Sequence, residues 1–326
     1  MKLSRRTAIC KLFNAAAIGS VQSPAYAQAV KQAAVLCQLP DEHILRAKIN
    51  TLPVNSRLDD LMRALPNRTI WPDFGSGLWS GQPIGMPINY VDSLKGATLV
   101  KFEYASESDR LPYPVPRNPK IEGGEKSDGD RHILICLGKE NQLYELFSAY
   151  QQNDHSWRAG SGAIFDLNSY RLRPDGLTSA DAAGLPIAPL LVKYEEIAAG
   201  EINHALRFTA VRTARRYLWP ARHFASDSNS PALPPMGLRL RLKADWPIAR
   251  FPNQAKIVLT ALKHYGMVLA DNGSSYFISG SPDERWDNED LATLKKVPIT
   301  AFEAVDTDPM MESIDSARVR RPPLNR

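Results

Sequence analysis

Seven polar residues are of the types, and in the settings, that acid–base chemistry uses: Asp130, Arg131, His132, Asp166, Asp181, Arg222 and His223. The first three end the glycine-rich loop Glu122-Gly-Gly-Glu-Lys-Ser-Asp-Gly-Asp-Arg-His132, which runs straight into the apolar stretch Ile133 to Leu137. Polar loops that deliver side chains to a buried strand end are common places for a site. In that reading His132 is a base or a ligand. The plainer reading pairs Asp130 with Arg131 to pin the loop and sets His132 on the face of Leu134 and Cys136. The loop is not a phosphate-binding P-loop, because no Gly-Lys-Ser/Thr closes it.

Arg222 and His223 follow Tyr217, Trp219 and Pro220. An Arg beside a His at the end of an aromatic strand suits an acidic sugar: Arg neutralises a uronate carboxylate while His or Tyr removes the adjacent proton. A hydrogen-bonded His at a capped strand end is the alternative. Arg173-Pro-Asp-Gly-Leu-Thr-Ser-Ala-Asp-Ala-Ala-Gly184 adds Asp181, and the preceding strand adds Asp166. Two such carboxyls roughly 5–9.5 Å apart would make a glycosidase pair. The competing picture is a turn and helix start capped by Thr178 or Ser179. Asp130, Arg131, His132, Arg222 and His223 are expected to share one cleft.

Other signals are weaker. Ser161 in Gly160-Ser-Gly162 is too short a match for a Gly-x-Ser-x-Gly elbow. His204 lies on the face of Ile202, Leu206 and Phe208 and reads as a core histidine. No His-x-x-x-His or Cys-x-x-Cys occurs, so neither a metal nor a cofactor is expected. Arg239, Arg241 and Lys243 alternate with Leu238, Leu240 and Leu242, a basic face opposite an apolar one that could bind an acidic polymer and more simply reads as a solvated outer face.

The elements that must carry these residues are mostly strands. Period-two patterning begins at Thr98, with Val100, Phe102 and Tyr104 on one face. The run Arg131 to Leu137 predicts a strand covered on both sides. Further strands are expected at Leu143 to Phe147, Ala163 to Leu167, Ile202 to Thr209, Arg216 to Trp219, Gly237 to Lys243 and Tyr276 to Ser279. Two helices stand out. One runs from about Asn253 to Tyr265 and stops at Gly266; the other starts after Asp287 and stops before Pro298. Shorter helices are expected at Ala29 to Leu36 and Arg57 to Leu65. Residues 71–87 are rich in Gly and Pro, which predicts an extended segment packing over a sheet through Trp71, Phe74 and Trp79. Many short strands and 25 prolines point to a mainly β fold, a β-sandwich or jelly-roll with a few peripheral helices.

The N-terminus predicts export. Lys2, Arg5, Arg6 and Lys11 give a positive N-terminal region, Ala8 to Val21 is a short, weakly apolar stretch, and Ala25-Tyr-Ala27 fits a cleavage site. Ser4-Arg5-Arg6 resembles a twin-arginine signal, with the ordinary secretory route equally open. The stretch is shorter than the roughly 20 residues that span hydrocarbon, so no transmembrane segment is expected. Residues 1–27 are then signal, 28–97 an N-terminal extension on the sheet, 98–307 the β-rich domain with two helices, and 308–326 a loose basic tail. The full chain has 40 Lys plus Arg against 35 Asp plus Glu. The signal and the Arg-rich C-terminus each hold four basic residues and no acid, which leaves 32 against 35 in the body. Without a basic domain face, no nucleic-acid partner is expected. Cys37 and Cys136 remain in the mature chain, either as a disulfide or with Cys136 as a small buried hydrophobe.

Gly129-Asp-Arg-His132, Thr178 to Pro186, Trp219-Pro-Ala-Arg-His223, Leu233 to Lys243 and Tyr265 to Gly273 resemble a group of exported bacterial proteins, over most of residues 70–307. The resemblance implies export and a β-rich fold, and no reaction. The functional expectation is a periplasmic or secreted carbohydrate-active protein of the polysaccharide lyase or glycoside hydrolase type. The alternative is a non-catalytic β-sandwich module that binds glycan or another envelope component.

Overall fold

The computed structural model describes residues 37–58, 61 and 66–320. The signal segment and the Ala29 to Leu36 helix lie outside the described residues, as does most of the Arg57 to Leu65 helix. In chain order the strands are β1 (Trp71–Asp73), β2 (Leu78–Trp79), β3 (Gln82–Pro83), β4 (Ile88–Val91), β5 (Val100–Phe102), β6 (Ile133–Leu137), β7 (Gln142–Phe147) and β8 (Tyr150–Gln151). They continue as β9 (Trp157–Ala159), β10 (Ser161–Asp166), β11 (Leu206–Ala210), β12 (Arg239–Leu242), β13 (Met267–Asn272), β14 (Phe277–Ser279) and β15 (Phe302–Ala304). The α-helices are α1 (Tyr194–Ala199), α2 (Asn253–His264) and α3 (Asn288–Ala292). Strand exceeds helix, 26% to 15%, so the chain is β-rich.

Three sheets form the body: six strands ordered β1-β14-β11-β13-β12-β15, four ordered β10-β7-β6-β4, and three ordered β5-β9-β8. The four-stranded sheet lies between two cores. Leu134, Cys136 and Leu143 face the larger core with Leu206, Phe208, Leu238 and Met267 of the six-stranded side. Ile133, Ile135, Leu137, Tyr144 and Leu146 face the smaller core with Val100, Trp157 and Ala159. Because side chains alternate along a strand, β6 can be apolar throughout only when both faces are covered. Each fully buried side chain of this size contributes roughly 1.5–3 kcal/mol. Cys37 and Cys136 form a disulfide, with Cα atoms 6.0 Å apart.

Helix α2 forms where the pattern predicts. It buries Ala255, Val258, Leu259 and Leu262. It ends at Gly266 (φ +66°), where a Cβ would stand 2.2 Å from the Leu240 carbonyl. Asp287 caps α3 by accepting from the amides of Glu289 and Asp290. The Asp290 carboxylate in turn accepts from the amides of Gln254 and Ala255, the open first turn of α2.

Several expectations need correction. Arg239 and Arg241 are buried, not solvated, because the segment running from Ile49 to Leu52 covers their face: Arg241 donates to the Ile49 and Leu52 carbonyls and pairs with Glu303. Ile202 to Ala205 and most of Arg216 to Trp219 lie outside strands. The turn at 178–184 starts no helix. Residues 71–73 join the six-stranded sheet as an edge strand, while Trp79 is 77% exposed on a hairpin and packs over no sheet. The expected extension thus supplies strands to both large sheets. Residues 308–320 are paired rather than loose: Met311 bridges Val319, Arg318 bridges His43, and Ala317 is fully buried.

Candidate functional site

Glu122 is the residue around which the loop before β6 is built. Gly123 and Gly124 take positive φ just after it. The Arg131 guanidinium gathers the loop behind them, donating to the carbonyls of Gly124, Glu125, Ser127 and Ala149. The Glu122 amide donates to the His132 carbonyl, so its side chain turns back onto the His132 ring. His132 Nδ1 donates to Glu122 Oε2 at 2.6 Å and Nε2 donates to the Ala180 carbonyl at 3.0 Å. Both neighbours only accept, so the ring carries both protons. Burial works against that charge, but the Glu122 carboxylate outweighs it and pushes His132 up to about 9. Reciprocally, burial would raise Glu122, yet the His132 charge and hydrogen bond hold it below the usual carboxylate range.

Glu122 opens on a groove of about 850 Å³ that it shares with Asp73, Trp71, Trp79, Lys126 and Asn288. Asp73 sits at the end of edge strand β1. The residue keeps solvent contact, but its carboxyl stands in a crowded part of the groove. Desolvation and the charge of Glu122 raise its pKa, against an opposing pull from Arg207. Two groove carboxyls are thus pushed in opposite directions, the arrangement that separates an acid from a base or nucleophile. Trp71 stacks on Phe277 and carries the Lys295 ammonium 3.4 Å above its ring, whereas the Trp79 ring stands in solvent. A second cavity, about 670 Å³, continues the groove past Gln82 and Pro83 toward Tyr90, itself 51% exposed.

Behind His132 a buried polar chain crosses the body. Arg207, on β11, grips Asp181 through Nε (2.8 Å) and Nη2 (2.7 Å), donates from Nη1 to Ser279, and reaches Asp271 Oδ2 at 3.1 Å. One guanidinium therefore serves two carboxylates, and burial together with the Asp181 charge raises Asp271. Asp181 and Asp271 border another cavity, about 590 Å³, with His223, Glu107 and Phe224. His223 Nδ1 donates to the Ala182 carbonyl, leaving Nε2 toward Glu107 at 3.5 Å. Gly184 shapes this turn: at φ +69° a Cβ would come within 2.8 Å of the Leu177 carbonyl.

Of the five residues expected to share one cleft, only His223 lines the 590 Å³ cavity. Asp181 and His223 line the 590 Å³ cavity, though the Asp181 side chain is fully enclosed. His132 is enclosed and pairs with Glu122. Arg131 pins the loop through carbonyls, and Asp130 is exposed beside it rather than paired with it. The Arg222 guanidinium is taken by the Arg173 and Ile314 carbonyls and by Asp315. Asp166 is exposed and caps a turn at Asn168. His204 is buried against Glu196, as a core histidine. Sequence reasoning missed Asp73, Glu122, Arg207 and Asp271 as site residues. Glu122 was legible as the first residue of the glycine loop; Asp73 carried no local signal. Among the described residues no group of three His, Cys, Asp or Glu is placed to hold a metal ion, and no helix is long and apolar enough to cross a membrane.

No protein-family model, curated protein or solved structure matches this chain.

Proposed function

We propose that this is an exported carbohydrate-active protein of the glycoside hydrolase type, working in the groove between Asp73 and Glu122. The observation that carries the reading is the pair of groove carboxyls, one raised and one lowered, beside the exposed Trp79. Asp73, its carboxyl raised by desolvation and by the Glu122 charge, is placed to give a proton to the departing glycosidic oxygen. Glu122, held ionised by His132, presents negative charge to the oxocarbenium-like transition state; water then bonds to the anomeric carbon and its proton passes to the Asp73 carboxylate. Trp79 offers a flat apolar face to a sugar ring, and the continuation toward Tyr90 gives a chain of several rings room to lie.

The hydrolase arm is favoured over the lyase arm because Arg222, the group that would neutralise a uronate, has its donors engaged by Arg173, Ile314 and Asp315. The Cys37–Cys136 disulfide supports a periplasmic or secreted location, where such bonds persist. The shared core of the six- and four-stranded sheets supports a sandwich-like reading of the fold. Its parallel pairs β1–β14, β11–β13 and β4–β6 depart from an all-antiparallel jelly-roll.

The test is reducing-end release from a panel of neutral and acidic polysaccharides. Asp73→Asn and Glu122→Gln should each lower turnover by about 10²–10⁴-fold, and Trp79→Ala should weaken chain binding. Binding through Trp79 with no turnover on any polymer would instead make the chain a glycan-binding module. Neither binding nor turnover would remove the carbohydrate reading.

A further inference from the structure

Trp71 is 40% exposed and lines the groove, yet its ring is already in use. Phe277, its register partner on β14, stacks against it at 5.7 Å. The Lys295 ammonium stands 3.4 Å above the ring centroid, so the face beneath it is closed to a sugar. Trp71 acts instead as a seat for a cation, an attraction of about 0.5–2 kcal/mol that is strongest on Trp.

The backbone fixes this seat. Lys295 lies on the 3-10 turn Thr293–Lys296 that follows α3. The Ile70 amide donates to the Val297 carbonyl and the Ile299 amide to the Arg68 carbonyl, which ties the segment after that turn to the start of β1. Leu294, next to Lys295, is fully buried and anchors the turn. A free lysine pays side-chain entropy when a ligand immobilises it; one held on an indole has lost part of that freedom beforehand.

The charged side chains lining the groove are Asp73, Glu122, Lys126, Asp128 and Lys295. Glu122 is matched from behind by the His132 imidazolium. Burial and the Glu122 charge both work against ionisation of Asp73. Asp128 is exposed on the glycine loop, two residues from Lys126. Among the described residues neither Lys126 nor Lys295 forms an ion pair with a carboxylate. Trp71 and Asp73 are two apart on β1 with Pro72 buried between them, so both face the same side. Two residues of strand span about 6–7 Å, comparable to one sugar unit.

We propose that the groove takes an acidic polysaccharide, and that Lys295, seated on Trp71, binds the carboxylate or sulfate of the sugar next to the cleaved bond. This rests on the carbohydrate reading of the groove. With the anion one unit away from Asp73, Lys295 orients the chain and takes no part in the proton transfers.

The experiment compares matched polymers: polygalacturonate against its methyl ester, and a sulfated galactan against its desulfated backbone. Reducing-end release should favour the charged member of one pair by about tenfold or more in kcat/KM, the scale of one charge-assisted hydrogen bond. That margin should shrink as salt is raised. The pair that responds tells carboxylate from sulfate. Lys295→Met should remove most of the margin through KM rather than kcat, and Lys295→Arg should keep it. Cleavage at equal rates of both members of both pairs would overturn the proposal and leave the hydrolase reading standing. A charge preference that survives Lys295→Met would overturn the role of Lys295. If no polymer is cleaved, affinity electrophoresis on the same pairs decides. Retardation by a charged polymer that Lys295→Met abolishes would support the anion subsite in a non-catalytic protein; retardation by no polymer, or equally by both members, would overturn it.

Discussion

Replacing Glu122 by Gln keeps the shape of the His132 partner and removes its charge. In the native protein His132 is pushed to about 9, against 6.5 in the unfolded chain, because the carboxylate overcomes burial. A histidine whose folded pKa is raised contributes stability that is complete below pH 6.5 and is lost as pH climbs through about 9. The difference corresponds to about 3 kcal/mol, a sizeable share of a typical folding free energy of roughly 5–15 kcal/mol. In Glu122→Gln, burial and Arg207 act on His132 without opposition from Glu122, so the ring is neutral above pH 6.5 and that slope disappears. Denaturant unfolding of both proteins at pH 6, 7.5 and 9.5 gives the comparison. The stability gap should shrink by about 3 kcal/mol across the range, and NMR titration should find His132 charged at pH 7.5 only in the unaltered protein. A gap that stays constant with pH, or a His132 titrating below 7 in the native chain, would refute the claim that Glu122 holds the imidazolium.

Three further outcomes follow from the same contacts. Arg207→Met strands Asp181 and Asp271 without their shared cation and should cost about 3–5 kcal/mol, read by denaturant melts; a loss under 1 kcal/mol would mean the two carboxyls neutralise each other by sharing a proton. Reducing the Cys37–Cys136 bond, or replacing both residues by Ser, releases a loop with a sequence separation of 99 and should cost about 2–5 kcal/mol, seen as a lower Tm. Glu145 is raised to about 7 by burial, despite the Ile187 and Ala188 amides it accepts from. A raised carboxyl is a stability cost that accrues from about pH 4.5 to 7. Measured by urea melts, Glu145→Gln should therefore gain on the unaltered protein by about 3 kcal/mol over that window; parallel pH profiles would contradict it.

Much of the secondary structure was readable because its causes are local. The unbroken run Ile133 to Leu137 has no polar face to offer water, so it had to lie between two cores. The Ala255, Val258, Leu259 and Leu262 spacing marks one side of a helix, and Gly266 marks where it turns away. Arg216 to Trp219 shows the limit: its aromatics looked like strand, yet Tyr217 makes only an isolated bridge to Met236.

The candidate site was legible only in part. The loop Glu122 to His132 announced itself through glycines and charges, but its roles were reversed. His132 looked like the reacting group because histidine titrates near neutrality; its enclosed position just before β6 makes it the support and the partly exposed Glu122 the side that reaches the groove. Asp73 sits in a Pro-rich stretch with no pattern, and it matters because parallel pairing of β1 with β14 carries it to the groove.

By itself the sequence determined that the chain is β-rich, where β6 and α2 lie, which two cysteines follow residue 27, and that the excess of basic over acidic residues comes from its ends. Tertiary structure alone decided which carboxylates meet, that one guanidinium bridges Asp181 and Asp271, and that the Arg239 and Arg241 face is covered. The reason is physical. Period-two spacing tells which side chains share a face, but whether water or another segment covers that face depends on residues far along the chain. For Arg241 that segment brings the Ile49 and Leu52 carbonyls; the buried Arg239 instead reaches the Tyr265 carbonyl through Nε.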